Sequence, residues 1–119
     1  MVWEVEYTNE FGAWWSRLAV AEQVTIATAV GALEQRGPAL GRPIVDQVKL
    51  SRHSNMKELI PPASNVRVLF AFDPRRKAIL LIGGDKTGRW KEWYEEMVPV
   101  ADQLWEDHLH ELRKERGHG

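Results

Sequence analysis

The chain has 119 residues, 44% of them hydrophobic and 28% charged, with a net charge of −1 and no cysteine. That length suffices for one domain with one core, and the absent cysteines exclude disulfides, thiolate metal sites and thiol nucleophiles. Apolar runs such as residues 78–84 fall far short of the roughly 20 residues that a bilayer span needs, and the opening Met1-Val2-Trp3-Glu4-Val5-Glu6 places acids where a secretory signal places lysines; a soluble cytoplasmic protein is expected.

Residues 2–7 alternate, with Trp3, Val5 and Tyr7 on one side and Glu4 and Glu6 on the other, the pattern of a half-buried strand. Thr8-Asn9-Glu10 then offers a helix start, with Asn9 as the capping acceptor. Phe11, Trp14, Trp15 and Leu18 follow at the spacing of one helical stripe. A second helix is predicted over residues 20–36, burying Val24, Ala27 and Gly31 together with Ile26, Val30 and Leu33. Gly37-Pro38 ends it.

Residues 37–55 are rich in Gly, Pro and polar groups, with a short strand possible over 45–50. Residues 56–60 read as a strand stopped by Pro61-Pro62. Residues 65–73 form the clearest strand, with Val66, Val68, Phe70 and Phe72 on one face and Arg67, Leu69 and Ala71 on the other. Asp73-Pro74-Arg75-Arg76 turns the chain, and residues 77–83 return as a continuous apolar strand, giving an antiparallel hairpin. Trp90, Trp93, Tyr94 and Met97 then begin a helical stripe. Pro99 starts a new helix or kinks this one, and Ala101, Leu104, Trp105, His108 and Leu112 carry the stripe onward. The expected fold is α+β: an antiparallel sheet of three to four strands, an N-terminal two-helix hairpin and a C-terminal helix, with the helices against one face. Residues 1–119 read as a single domain whose tail, 113–119, frays.

The charge is unevenly distributed. Residues 1–35 carry one base and five acids, residues 36–91 twelve bases and four acids, and residues 92–119 three bases and eight acids. A basic middle between acidic flanks predicts a localised anion-binding surface. Conventional catalytic signatures are missing. Gly83-Gly84-Asp85-Lys86-Thr87-Gly88 lacks the glycine spacing of a nucleotide-binding loop. His108 and His110, two residues apart on a helix, point about 200° from each other and cannot clamp one metal, so no metal and no cofactor are expected. His108 falls on the apolar stripe and is expected to be a packed, hydrogen-bonded residue; His118 is tail. His53, in the basic run Lys49-Leu50-Ser51-Arg52-His53, is the histidine placed for proton work.

Arg67 interrupts an apolar strand, so its guanidinium needs a carboxylate or a phosphate. A salt bridge to Glu58 on the neighbouring strand, and snorkelling to solvent, both remain open. Lys86 ends the last strand, where it can reach over the sheet. Arg89 and Lys91 follow, interleaved with Trp90, Trp93 and Tyr94, a mixture that suits phosphates and stacked bases. The same aromatic spacing also suits a core stripe: two of the three are assigned to the core, the third left open.

Several segments taken in order resemble one family: Met56-Lys57-Glu58-Leu59, Arg67-Val68-Leu69-Phe70-Ala71-Phe72-Asp73-Pro74-Arg75, Gly84-Asp85-Lys86-Thr87-Gly88 with Trp90 and Trp93-Tyr94, Pro99-x-Ala101-Asp102-x-Leu104, and Asp107-His108-Leu109. The chain is similar over residues 1–112 to the HigB-like, phage-derived branch of the RelE/ParE toxin superfamily. That resemblance implies the toxin of a type II toxin–antitoxin pair, a ribosome-dependent mRNA endonuclease neutralised by a separately encoded helix-turn-helix antitoxin. In such enzymes the RNA 2′-OH attacks the adjacent phosphate while basic side chains stabilise the added charge. Carried over by position, Arg67 holds the scissile phosphate and Lys86 stabilises or protonates the leaving side. Lys57 adds a secondary phosphate contact, and Tyr94 stacks on a base or assists proton transfer. Arg52, another phosphate contact, joins His53, Arg89, Lys91 and Trp90 as the RNA-binding set. Two other readings stand beside this one. One is a non-enzymatic toxin of a protein target, as in gyrase-poisoning members; the other is an inactive phage-derived member that only binds its antitoxin, a reading prompted by Ile60 where many relatives have arginine.

Overall fold

Five strands and three helices follow one another in the computed structural model, which describes residues 2–117. They are β1 (Val5–Tyr7), α1 (Asn9–Ser16), α2 (Val20–Arg36), β2 (Val45–Gln47), β3 (Lys57–Leu59), β4 (Val66–Phe72), β5 (Ala78–Asp85) and α3 (Trp90–Gly117). The strands form one sheet in the order β1-β5-β4-β3-β2. β2 to β5 pair antiparallel. β1 pairs parallel to β5, with Val5 opposite Ala78. The sheet is therefore mixed and five-stranded, against the expected antiparallel three or four. The reason is the long return from β1 through both helices and the β2–β4 meander, which brings the hairpin's second strand alongside β1 in the same direction.

The alternation of β4 sorts the interior into two cores. Val66, Val68 and Phe70 pack with Phe11, Ile26, Ala29, Leu33 and Leu80 beneath α1 and α2. Leu69 and Ala71 pack with Ile79, Leu81, Trp93, Val98, Ala101 and Trp105 beneath α3. Helices thus cover both faces of the sheet, not one. β5 explains why: residues 78–81 are all buried, and a strand apolar on both faces needs a layer on each. Two adjacent glycines let the layers close. A Cβ on Gly83 would collide with the indole of Trp14, and one on Gly84 with that of Trp93.

Three local expectations change. Thr8, not Asn9, caps α1: its Oγ1 accepts the Phe11 N–H at 3.0 Å and donates to the Leu81 carbonyl at 2.6 Å, tying the helix start to β5. α2 buries only Ile26, Ala29 and Leu33; Val24 stays exposed, because a helix lying on one sheet face hides one narrow stripe. α3 runs through Pro99 as one helix. Val98 and Ala101 are anchored in the core while Pro99 faces solvent, where water can satisfy the carbonyl its missing N–H leaves free. α3 continues to Gly117, with Leu109 packed on the core beneath it and His108 bonded to Asp73 beside the hairpin turn. Residues 118 and 119, including His118, lie outside the described residues. Among the described residues, no helix is long and apolar enough to cross a membrane.

Candidate active site

The pairing of β4 and β5 sets Arg67 opposite Gly84. The register slips by one residue between Leu69, opposite Ile82, and Phe70, opposite Leu80, so Leu81 is an extra residue in β5. Leu81 and Ile82 consequently both lie on the α3 side, and every later residue of β5 changes phase. The bulge puts Gly84 and Lys86, rather than Asp85, on the face that carries Arg67. β3 adds Glu58 to that face through its pairing with Leu69, and the first turns of α3 add Trp90, Trp93 and Tyr94.

Four polar side chains meet there. Arg67, its side chain 11% exposed, lies with Nε 3.4 Å from Glu58 Oε1. Its Nη1 donates to the carbonyls of Ser64 at 2.9 Å and Val66 at 2.8 Å. Of the two readings left open for this residue, the Glu58 ion pair is the one formed. Tyr94 donates its hydroxyl proton to Glu58 Oε1 at 2.7 Å. Lys86 is fully buried and its ammonium lies over the Trp90 indole, with the Tyr94 ring centroid 5.7 Å away. Arg67 Nε and Lys86 Nζ are buried without a hydrogen-bond partner. Two buried cationic nitrogens without a hydrogen bond in one place are costly, and only Arg67 Nε has a carboxylate in ion-pair range.

The electrostatics follow from this crowding. Burial pushes the Glu58 carboxyl above its ordinary value, against the opposing pull of the Tyr94 hydrogen bond and the Arg67 charge. Burial, then the neighbouring Arg67 charge, lowers Lys86 from 10.5 to about 8, with Glu58 working the other way. Tyr94 is raised by burial and by donating to Glu58, so it stays a phenol. The site therefore combines a carboxylate more basic than usual and an ammonium more acidic than usual with the Arg67 guanidinium. Such a set can take a proton from one side of a reacting phosphate and return one to the other.

The remaining sequence-derived candidates lie elsewhere. Lys57 projects to the opposite face, in the row of Leu59 and Phe70, and does not join Arg67. Arg52 and His53 sit on a loop held to α3. Asp102 accepts from Ser51 Oγ and from the Arg52 backbone N–H at 3.0 Å, and Glu106 receives Arg52 at 2.7 Å and His53 at 2.8 Å. Asp102 and Glu106 lie about 12–18 Å along the helix from Tyr94. Arg89 pairs with Glu96, and Lys91 lies 3.9 Å from Glu95. Trp93 is buried and Tyr94 half-buried, leaving Trp90, 59% exposed, as the open aromatic of the three. His108 is packed as expected, bonded through Nε2 to Asp73 at 2.9 Å and stacked on Trp105.

The basic middle does not form one continuous anion-binding surface. Among the described residues, seven of its twelve bases meet a carboxylate within 4.0 Å. Of the other five, Lys86 alone is buried. Close-range pairing with acids from both flanks has absorbed the excess. Glu58 is the residue that sequence reasoning undervalued, treating it only as a partner for Arg67. The available signal was an acid on the same strand face as buried Met56. Among the described residues, no three His, Asp or Glu side chains are grouped to hold a metal ion.

The chain matches the family described as "Phage derived protein Gp49-like (DUF891)" over residues 13–106. It is 50% identical over 96 residues to a protein of Mycobacterium tuberculosis (strain ATCC 25618 / H37Rv) that carries the toxin name HigB3, a match spanning 81% of this chain and 84% of that protein. A second protein of the same strain, carrying the toxin name HigB2, is 49% identical over 104 residues and 85% of this chain; the match spans 52% of that protein's length. Among solved structures, the archaeal RelE–RelB complex from Pyrococcus horikoshii OT3 contains a chain of similar fold. The TM-score is 0.56 at 16% identity, covering 76% of this chain and 99% of that one.

Proposed function

The chain belongs to the phage-derived, Gp49-like family of RelE/HigB-like toxins and is a toxin of the type II toxin–antitoxin class; from that premise we propose that it cuts messenger RNA on the ribosome, with Glu58, Arg67, Lys86 and Tyr94 as its active site. The observation that carries this reading is two buried cationic nitrogens without a hydrogen bond, Lys86 Nζ and Arg67 Nε, the latter in ion-pair contact with Glu58, a carboxylate of raised basicity. A phosphodiester is the ligand whose charge answers both cations at once.

In the proposed reaction, Glu58 takes the proton of the RNA 2′-OH as the 2′-oxygen attacks the adjacent phosphorus. Arg67 and Lys86 face the non-bridging oxygens, where negative charge gathers in the transition state. The bond from phosphorus to the 5′-oxygen of the next nucleotide breaks, and Lys86 gives that oxygen a proton. Its lowered pKa makes it a readier acid than an exposed lysine. The products are a 2′,3′-cyclic phosphate and a free 5′-OH. Tyr94 aims the Glu58 carboxylate through its 2.7 Å hydrogen bond. The cognate partner in this reading is a helix-turn-helix antitoxin encoded beside the toxin.

Inducible expression in a bacterium, comparing the parent with Arg67→Ala and mapping mRNA 5′ ends, tests the assignment. Growth arrest with new ends in the parent, both lost in the variant, is the expected result. Arrest without new ends would replace this reading with inhibition of a protein target, and undiminished cleavage by Arg67→Ala would move the site elsewhere.

A further inference from the structure

Lys86 is covered by a side chain that is itself largely in water. The Arg89 N–H closes a tight turn onto the Lys86 carbonyl at 2.9 Å, with Gly88 at φ +70, a conformation that side-chain-bearing residues rarely adopt. The turn is braced by Thr87, whose hydroxyl accepts from Asn65 Nδ2 at 3.0 Å and whose backbone N–H donates to Asp85 at 2.8 Å. α3 begins at the next residue, and the turn lays the Trp90 indole over the Lys86 ammonium, four positions back in sequence. The ammonium is inaccessible while Trp90 as a residue is 59% exposed. One ring face meets the cation; much of the rest meets solvent.

A single exposed tryptophan is ordinary in itself; what sets Trp90 apart is that its ring lies on the buried ammonium of the site. Nothing in the core depends on this ring: Trp93, Val98 and Ala101 anchor the start of α3 without it. Its attraction for Lys86 is a cation–π contact, and any ligand reaching Nζ must displace it. A bare anion supplies a salt bridge but no surface for the displaced indole. A nucleotide supplies both, because a base has a flat face on which an indole stacks.

We propose that Trp90 withholds Lys86 from simple anions and yields it to a phosphate that carries a nucleobase, on which the displaced indole stacks. Trp90 is then a discriminating residue of the site, acting before the chemistry. This inference rests on the nuclease reading for its ligand, but its shielding half can be measured without RNA.

The experiment is reaction of the purified protein with trinitrobenzenesulfonate at pH 8, with Lys86 modification quantified by peptide mass spectrometry in the parent, Trp90→Ala and Trp90→Phe. Inorganic phosphate and a short 2′-deoxyoligonucleotide, which cannot be cleaved by 2′-OH attack, serve as protecting ligands. Trp90→Ala is expected to label Lys86 about 2- to 30-fold faster than the parent, with Trp90→Phe between them. Phosphate should protect Lys86 at lower concentration in Trp90→Ala than in the parent. The oligonucleotide should protect the parent and lose about 5- to 150-fold in affinity in Trp90→Ala, with Trp90→Phe retaining most of it. Equal labelling of parent and Trp90→Ala would overturn the inference even if the parent cuts mRNA. Phosphate and oligonucleotide affinities that move in the same direction would overturn it too. Faster labelling in Trp90→Ala, with no oligonucleotide protection of any form, would instead bring down the nucleic-acid reading and leave Trp90 a shield alone.

Discussion

Replacing Lys86 with methionine keeps a long, flexible side chain and removes the charge that the fold holds at a loss. The lysine falls from its ordinary 10.5 to about 8 on folding, chiefly through burial and then through the Arg67 charge. The full drop corresponds to about 3 kcal/mol. Because the shield is one half-exposed indole, about 1–3 kcal/mol is the magnitude to expect at neutral pH. The sign follows from proton binding. Between pH 8 and 10.5 the unfolded chain keeps the Lys86 proton and the folded chain has released it, so the parent gains stability as pH rises through that window. Lys86→Met carries no such dependence. Urea unfolding followed by circular dichroism at pH 7 and pH 10 should find the variant more stable than the parent at pH 7, with the gap narrowing at pH 10. The same variant should lose mRNA cleavage, the usual exchange of stability for function at an active site. A variant that is less stable at pH 7, or a gap independent of pH, would refute the claim that Lys86 is a strained, functional cation.

Tyr94→Phe removes a hydrogen bond that holds the Glu58 pKa down; the acidic limb of the pH–rate profile should move to higher pH, with cleavage about tenfold slower. Asp73→Asn addresses the far end of the molecule. Burial would raise the Asp73 carboxyl, but hydrogen bonds from His108 and Arg75 outweigh it and hold it low. Its contribution is therefore complete above the unfolded value near 3.8 and is lost as pH falls below it. The variant should be less stable by about 2–3 kcal/mol at pH 7, with the gap closing in acid. Gly83→Ala drives a methyl into Trp14 and should cost about 1–3 kcal/mol in unfolding free energy; an unchanged melting temperature would mean that the indole has room to yield.

The elements were legible where periodicity is strong. The alternation of residues 66–72 predicted both the faces of β4 and the placement of Arg67, and the Gly37-Pro38 stop matched the end of α2 at Arg36. What the sequence concealed was long-range. Nothing local to residues 5–7 says that β1 runs parallel to β5, because direction is decided by the path of the intervening chain. The Leu81 bulge is equally silent, since one extra residue in an apolar run leaves no break in the pattern. Yet that bulge selects Lys86 over Asp85 for the site face. The placement of Lys57 follows from strict alternation with Glu58, which makes the neighbour of an inward-facing acid point to the other side of the sheet. Arg52 and His53 looked free in sequence because Glu106, which binds both, lies more than fifty residues away.

Cleavage at this site by internal attack of the 2′-oxygen, with Glu58 taking the proton and Arg67 and Lys86 carrying the charge, leaves characteristic ends. Ribosomes programmed with a defined mRNA, incubated with the parent and with Glu58→Gln, allow the new ends to be read by mass spectrometry. The expected result is an upstream fragment ending in a 2′,3′-cyclic phosphate, a downstream fragment with a free 5′-OH, and a loss of about 10²–10⁴-fold in rate for Glu58→Gln. Fragments ending in 3′-OH and 5′-phosphate, or a Glu58→Gln variant as fast as the parent, would contradict it.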